Sequence, residues 1–139
     1  MEWKFYAFAS AFFAGLTAVL AKMGLVSMPS NMATLIRTCV VIIFLIFLVT
    51  IRREWINPFV FGNRGLACLV LSGIATGLSW SCYFRALQIG PASLVIPIDK
   101  LSLIFTIILS LLFLGEQLTL LQWDGVVLIG IGVLLMIVK

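Results

Sequence analysis

Asp99 and Lys100 stand side by side in the stretch SLVIPIDKLSLIF, residues 93–105, which is otherwise almost wholly apolar. In such surroundings an acid can carry a proton or hold a cation, a lysine can hold an anion, and an ionisable residue inside a membrane is by default a functional hypothesis. On a helix begun at Pro91, Asp99 lies about 12 Å along the axis, where each charge costs about 2.5–3.5 kcal/mol, so the pair needs roughly 5–7 kcal/mol of compensation. Neighbours in sequence sit about 100° apart on a helix, which predicts that the two address different environments. Asp99 is followed by Ser102, Thr106 and Ser110 at spacings of three, four and four, a polar line down one face, while Lys100 shares its face with Ser93. Pro97 has no N–H, leaves the Ser93 carbonyl unpartnered and favours a kink. A bent helix with a freed carbonyl beside two charges is where a water-filled cavity is tolerated. The competing reading has Asp99 pairing with Arg37 or Arg85 on other helices, to fix packing alone.

A second polar face runs through Ser72, Thr76, Ser79 and Tyr83, with Gly73 and Gly77 forming a G-x-x-x-G one residue over. Small residues allow close helix approach, and hydroxyls can bind a partner helix or a ligand. Trp80 and Tyr83 add aromatic surface for a cation or an apolar metabolite, and are equally readable as ordinary core aromatics. The first helix offers Ser10, Ala14, Thr17 and Ala21, ending next to Lys22. The candidate substrate- or ion-binding residues are therefore Asp99, Lys100, Ser102 and Thr106, with Ser79, Thr76, Trp80 and Tyr83 from the second face and Arg37 and Arg85 as further cations.

Catalysis has little to work with. The chain has no histidine, which removes imidazole bases, histidine metal sites and histidine triads together. Cys39, Cys68 and Cys82 lie in apolar segments without metal-ligand spacing and are expected to be buried thiols acting as small hydrophobes. Of the five acids, Glu2 and Glu54 fall outside the apolar runs, Glu116 is placed to bracket a turn, and Asp124 is expected in the first turn of the last helix. Asp99 alone is deep, so it is the candidate proton carrier, and no second acid or activated nucleophile accompanies it. No enzyme activity, metal or cofactor is expected.

The elements that must position these residues follow from composition. Among 139 residues 63% are hydrophobic and 10% charged, with a mean hydropathy of +1.26, whereas a soluble domain needs roughly 25% charged residues to cover itself. About twenty apolar residues cross a bilayer core, and runs of that length occur near 3–21, 33–51, 66–87, 92–114 and 120–138. Hydrocarbon offers no partner for free backbone groups, so these runs are predicted to be helices. Turn residues separate them: Met28-Pro29-Ser30-Asn31, Asn57-Pro58 with Gly62-Asn63, Gly90-Pro91 and Gly115. Trp3, Trp55 and Trp123 fall where an aromatic belt holds helix ends. The second helix, without strongly polar side chains from Cys39 to Val49, is expected to face lipid, and the glycine-bearing fifth to pack, including against a second copy. Lys4, an apolar run and Ala9-Ser10-Ala11 mimic a signal peptide, but the run continues through Leu20 and suits a retained span. The expected architecture is an all-α integral membrane protein, one domain over residues 1–139, with the lipid bilayer as a partner. Its basic residues show no face that would follow a nucleic acid.

An odd number of spans places the termini on opposite sides. Lys4, Arg52, Arg53 and Arg64 then lie on the N-terminal side, and Lys22, Arg37, Arg85 and Lys139 on the other if residues just inside a helix end snorkel outward. Four against four is a tie, and counting loop residues alone favours a cytoplasmic N-terminus. Weak orientational bias permits insertion both ways, and so an antiparallel homodimer; it is equally compatible with a plain N-inside preference.

The string YFRALQIGPASLVIPIDKLSLIFTIILSLLFLGEQLTLLQWDGVVLIGIGVLLM, residues 83–136, resembles the EamA family of the drug/metabolite transporter superfamily. The matching features are Ala86-Leu87 leading to Gly90-Pro91-Ala92-Ser93, the closing Leu114-Gly115-Glu116, and Trp123, Gly125 and Gly132 of the last helix. The N-terminal half agrees in helix count and general character. The resemblance implies membrane transport of small metabolites, usually by ten-helix chains made of two five-helix repeats in opposite orientation. This chain looks like one repeat, which implies an antiparallel homodimer, or a pair with a paralogous subunit, mimicking the ten-helix form. Asp99 and Lys100 are not among the features that carry the resemblance. Small multidrug exporters of the same superfamily have four helices and an acid in the first, where this chain has none. The expected function is a secondary transporter of a small metabolite or drug-like solute, by alternating access and with protons as a candidate coupling ion, in a bacterial or archaeal inner membrane. Two alternatives stand beside it: a flippase, or flippase subunit, for a lipid-linked substrate, with Arg37, Arg85 and Lys100 engaging phosphate, and a scaffold subunit that transports nothing.

Overall fold

The computed structural model describes residues 2–57, 60 and 62–138. Pro58 of the expected Asn57-Pro58 turn, and Lys139 of the orientation count, lie outside the described residues. The apolar runs close their backbone hydrogen bonds locally, as α1 (Glu2–Gly24), α2 (Ser30–Arg52), α3 (Asn63–Ile89), α4 (Ala92–Asp99), α5 (Ser102–Leu109) and α6 (Leu120–Ile137). A π-helical turn, Ser110–Leu114, extends α5. Among the described residues five stretches are long and apolar enough to cross a membrane, Ala92–Leu114 being composed of α4, α5 and the π-turn. No strand occurs among the described residues.

The chain divides into two compact units, Met1–Ile89 and Gly90–Lys139. In the first, α1 and α2 each pack on α3. The end of α1 is tied to the end of α3 by Lys22 Nζ, which donates to Leu87 O at 2.5 Å. The α1–α2 connection is tied there too, Gln88 Nε2 donating to Met28 O at 3.1 Å. α2 ends in a left-handed turn at Arg53 (φ 54°), whose N–H donates to Thr50 O while that of Glu54 donates to Val49 O. This satisfies carbonyls that the helix leaves open.

In the second unit α4 packs on α6, and a Cβ added at Gly130 of α6 would lie 3.3 Å from Ile104 Cδ1 of α5. Glycine there admits a close helix approach. The fourth span is not one helix as expected: four i→i+3 bonds, from the N–H groups of Lys100, Leu101, Leu103 and Ile104, replace regular α-geometry just after Pro97. The span then turns back at Gly115 (φ 66°), where Ser110 Oγ donates to Glu116 Oε2 across the corner. α6 starts at Leu120, with Thr119 N–H donating to Gln122 Oε1 at 2.8 Å. Asp124 therefore falls just beyond the first turn expected for it, which Leu120 to Trp123 form.

Very little is buried. The apolar core among the described residues is Ala18, Leu25, Phe84, Leu87 and Val133, and at most 11% of any span's apolar window is covered by the protein. Cys39, Cys68 and Cys82 are free and exposed, which corrects the expectation of buried thiols. They lie on helix faces that the chain does not cover, since three helices, or two and a broken one, have too few neighbours to enclose every face.

Candidate functional site

The first unit carries a cation inside its apolar helices. Arg37, half-buried on α2, holds its guanidinium 4.4 Å from the Trp80 ring centroid and 5.3 Å from that of Phe84, both on α3. Trp80 and Phe84 are four residues apart, hence on one helix face, and Phe84 is only 2% exposed, so a rigid aromatic wall receives the guanidinium. Attraction to a ring face is worth about 0.5–1 kcal/mol when exposed and about 2 when desolvated. Among the described residues of this unit no carboxylate reaches Arg37, and the ion pair is Arg52–Glu54 at 4.0 Å, at the far end of α2. A guanidinium has five N–H donors, and ring contact uses none of them as a conventional hydrogen bond. Arg37 and Phe84 line a cavity of about 390 Å³ whose other walls include Thr17, Ala21, Gly24 and Ala33. The small residues of α1 that form a mild polar stripe in the sequence thus make room beside a charge.

The rest of the expected site is placed differently. Tyr83 is half-buried, edge-on to Phe84 with centroids 5.9 Å apart. Thr76 Oγ1 donates to Ser72 O and Thr106 Oγ1 to Ser102 O, each at 2.9 Å, so both hydroxyl protons are used within their own helices. Ser79 and Ser102 are exposed on helix surfaces. Arg85 is exposed and donates to Gln88 Oε1 at 2.9 Å. A Cβ at Gly73 or Gly77 would meet nothing within 4 Å in the first unit, so the G-x-x-x-G edge has no partner helix there.

Asp99 ends α4 and Lys100 occupies the break before α5. Contrary to the expectation of separate environments, Lys100 Nζ lies 3.7 Å from Asp99 Oδ2. The break explains this, since the 100° separation holds only on a regular helix. It also splits the polar line: Asp99 precedes the break, Ser102 and Thr106 follow it, and Ser110 is taken by Glu116. The Asp99 and Lys100 side chains are 37% and 57% exposed, so the pair is loose and open. Sequence reasoning missed Phe84 and Gln88. Phe84 was detectable as the residue four after Trp80 and seven after Gly77; no pattern distinguishes Gln88.

Five apolar spans carrying charges within them define a multi-pass helical membrane protein. The chain belongs to the EamA-like transporter family, which it matches over residues 1–138. It is 47% identical, over 99% of its own length and 97% of the relative's, to an uncharacterized transporter from the cobO 3′ region of a Sinorhizobium species. It is 33% identical over 68% of its length, and 69% of the relative's, to an uncharacterized protein of Methanocaldococcus jannaschii. No solved structure matches it. The family and the transporter-named relative point to transport rather than enzymatic chemistry.

Proposed function

We propose that this protein is a secondary transporter that moves a small organic solute bearing an anionic or strongly polar group, by alternating access, in the cell membrane of a bacterium or archaeon. The observation that carries the reading is Arg37: a permanent charge stacked on Trp80 and Phe84 at the wall of a cavity, without a carboxylate partner in its unit. An intramembrane charge is retained where a solute or water reaches it. Two copies inserted antiparallel, or this chain with a related subunit, enclose the path. That assembly is supported by the odd number of spans, the balanced basic residues and helix faces left almost wholly uncovered. Asp99, loosely held by Lys100 at the break in the fourth span, is the group for proton coupling, and the break is a place for that span to flex.

The test is uptake by proteoliposomes over a panel of small carboxylates, phosphate esters and neutral metabolites under an imposed pH gradient. A saturable substrate is expected, with Arg37→Gln lowering kcat/KM about tenfold or more, the loss of one charge-assisted contact. Uptake indifferent to the gradient and to Asp99→Asn removes protons and Asp99 from the mechanism. If the folded protein moves no member of the panel, the transporter reading fails.

A further inference from the structure

We propose that the cavity beside Arg37 selects a monocarboxylate on an apolar body: one negative charge, no ammonium group, and a hydrocarbon or aromatic remainder. This rests on the transporter reading of that cavity and names its substrate class. The cavity, of about 390 Å³, has the size that takes small organic molecules, and its walls come from α1, the α1–α2 connection, α2 and α3, all within the first unit. Among the described lining side chains Arg37 carries the charge and Thr17 the hydroxyl. The others, such as Leu20, Met28, Ile36 and Phe84, are apolar.

An anion is the partner that the charges of this unit leave room for. Its acids are Glu2 and Glu54. Glu2 starts α1, whereas Thr17 and Ala21 lie in the later half of that helix; Glu54 follows the end of α2, whereas Ala33 and Arg37 lie in its first half. At about 1.5 Å per residue both carboxylates are roughly 20 Å from the cavity along the helix axes. Stacking on Trp80 and Phe84 orients the guanidinium and leaves its N–H donors, a planar fork that matches the two oxygens of a carboxylate. Apolar walls strengthen such a pair, because less water competes for either ion.

The same walls disfavour other classes of solute. A second negative charge, as in a dicarboxylate or a phosphate ester, meets no second cation among the described lining residues, and the ammonium of an amino acid meets no carboxylate. The hydroxyls of a sugar find Thr17 alone among the neutral side chains there. Each polar group taken from water without a partner costs binding, so the selection acts through what the cavity lacks as much as through Arg37. Ala21 and Ala33 are small, and the space they leave is where the apolar body sits. The acid comes from solution or, as a fatty acid, from the bilayer itself.

Full-length protein in nanodiscs of zwitterionic lipid is titrated with butyrate, pentanoate and hexanoate at ionic strength held constant with chloride, and separately with oleate added to the nanodisc lipid, and thermal unfolding is followed. A saturable rise in the midpoint is expected, with affinity for the short acids growing about fourfold for each added methylene. Response to hexanoate identifies an acid taken from solution, and response to oleate alone a fatty acid taken from the bilayer. Arg37→Gln should weaken binding of every responding acid about tenfold, and Ala33→Leu should flatten the growth with chain length. Succinate, leucine and glucose 6-phosphate should give no saturable shift at ten times the concentration that half-saturates with the acid that binds. The inference is overturned by no saturable response to hexanoate or oleate, by short acids that bind without regard to chain length, by succinate, leucine or glucose 6-phosphate binding as tightly, or by wild-type affinity in a folded Arg37→Gln. Binding is read without transport. A protein that carries phosphate esters or amino acids yet binds no monocarboxylate refutes the class and keeps the transporter reading, whereas one that binds hexanoate and moves no solute does the reverse.

Discussion

At the residue scale the protein separates charges that are engaged from charges that are open. Lys22 ends on a carbonyl and Lys100 on its neighbour's carboxylate, whereas Arg37 rests on ring faces. Arginine suits that place because its planar cation stacks while its N–H donors remain for a second partner, which a lysine ammonium does not reproduce. A double-mutant cycle of Arg37→Lys and Trp80→Leu, read by denaturant unfolding in detergent, should give a coupling of about 0.5–2 kcal/mol. Thr76→Val, by contrast, should cost no more than about 1 kcal/mol and leave uptake intact, because its proton already serves Ser72 O and hydrogen bonds inside a membrane are individually modest. If Thr76→Val abolished uptake in a folded protein, that hydroxyl would return to the binding set.

At the element scale, the fourth span is where sequence periodicity and structure part. Pro97 was a legible helix defect, and the irregularity does sit beside it, but the exchange to i→i+3 bonds at Lys100 to Ile104 brings Asp99 and Lys100 together. A helical wheel assumes one period from end to end, so it could not show that pairing. The corner at Gly115 was legible as well, and its left-handed φ with open space around the Cα makes a clean test. Gly115→Ala should destabilise by about 1–2 kcal/mol through the backbone alone, seen as a lowered unfolding midpoint. An unchanged midpoint would mean that the corner relaxes to another conformation.

At the scale of the whole molecule, the exposed apolar surface and the even distribution of basic residues belong together. A chain whose orientation is set by a near-tie responds to small changes in charge. Asn57→Lys with Gln117→Lys adds charge on the N-terminal side, and Lys4→Gln with Arg52→Gln removes it. The first variant should place the C-terminus on one side of the membrane, the second should favour the other, and each alone should transport poorly. Co-expressing the two should restore uptake. Full activity from a variant held in a single orientation would exclude the antiparallel pair.

What the sequence determined by itself is set by local chemistry. Runs of apolar residues must be helices in hydrocarbon, Gly and Pro mark their ends, and the spacing around Ala86 to Gly132 carries the family resemblance. Individual charges inside those runs were equally visible, because a single lysine or arginine stands out against aliphatic neighbours. Which of them share a site was decided by tertiary structure. Arg37 meets Trp80 across 43 positions of chain, and Gln88 meets Met28 across 60. No periodic pattern links residues on different helices, since their proximity depends on how α2 seats against α3, and that is fixed by packing rather than by order along the chain.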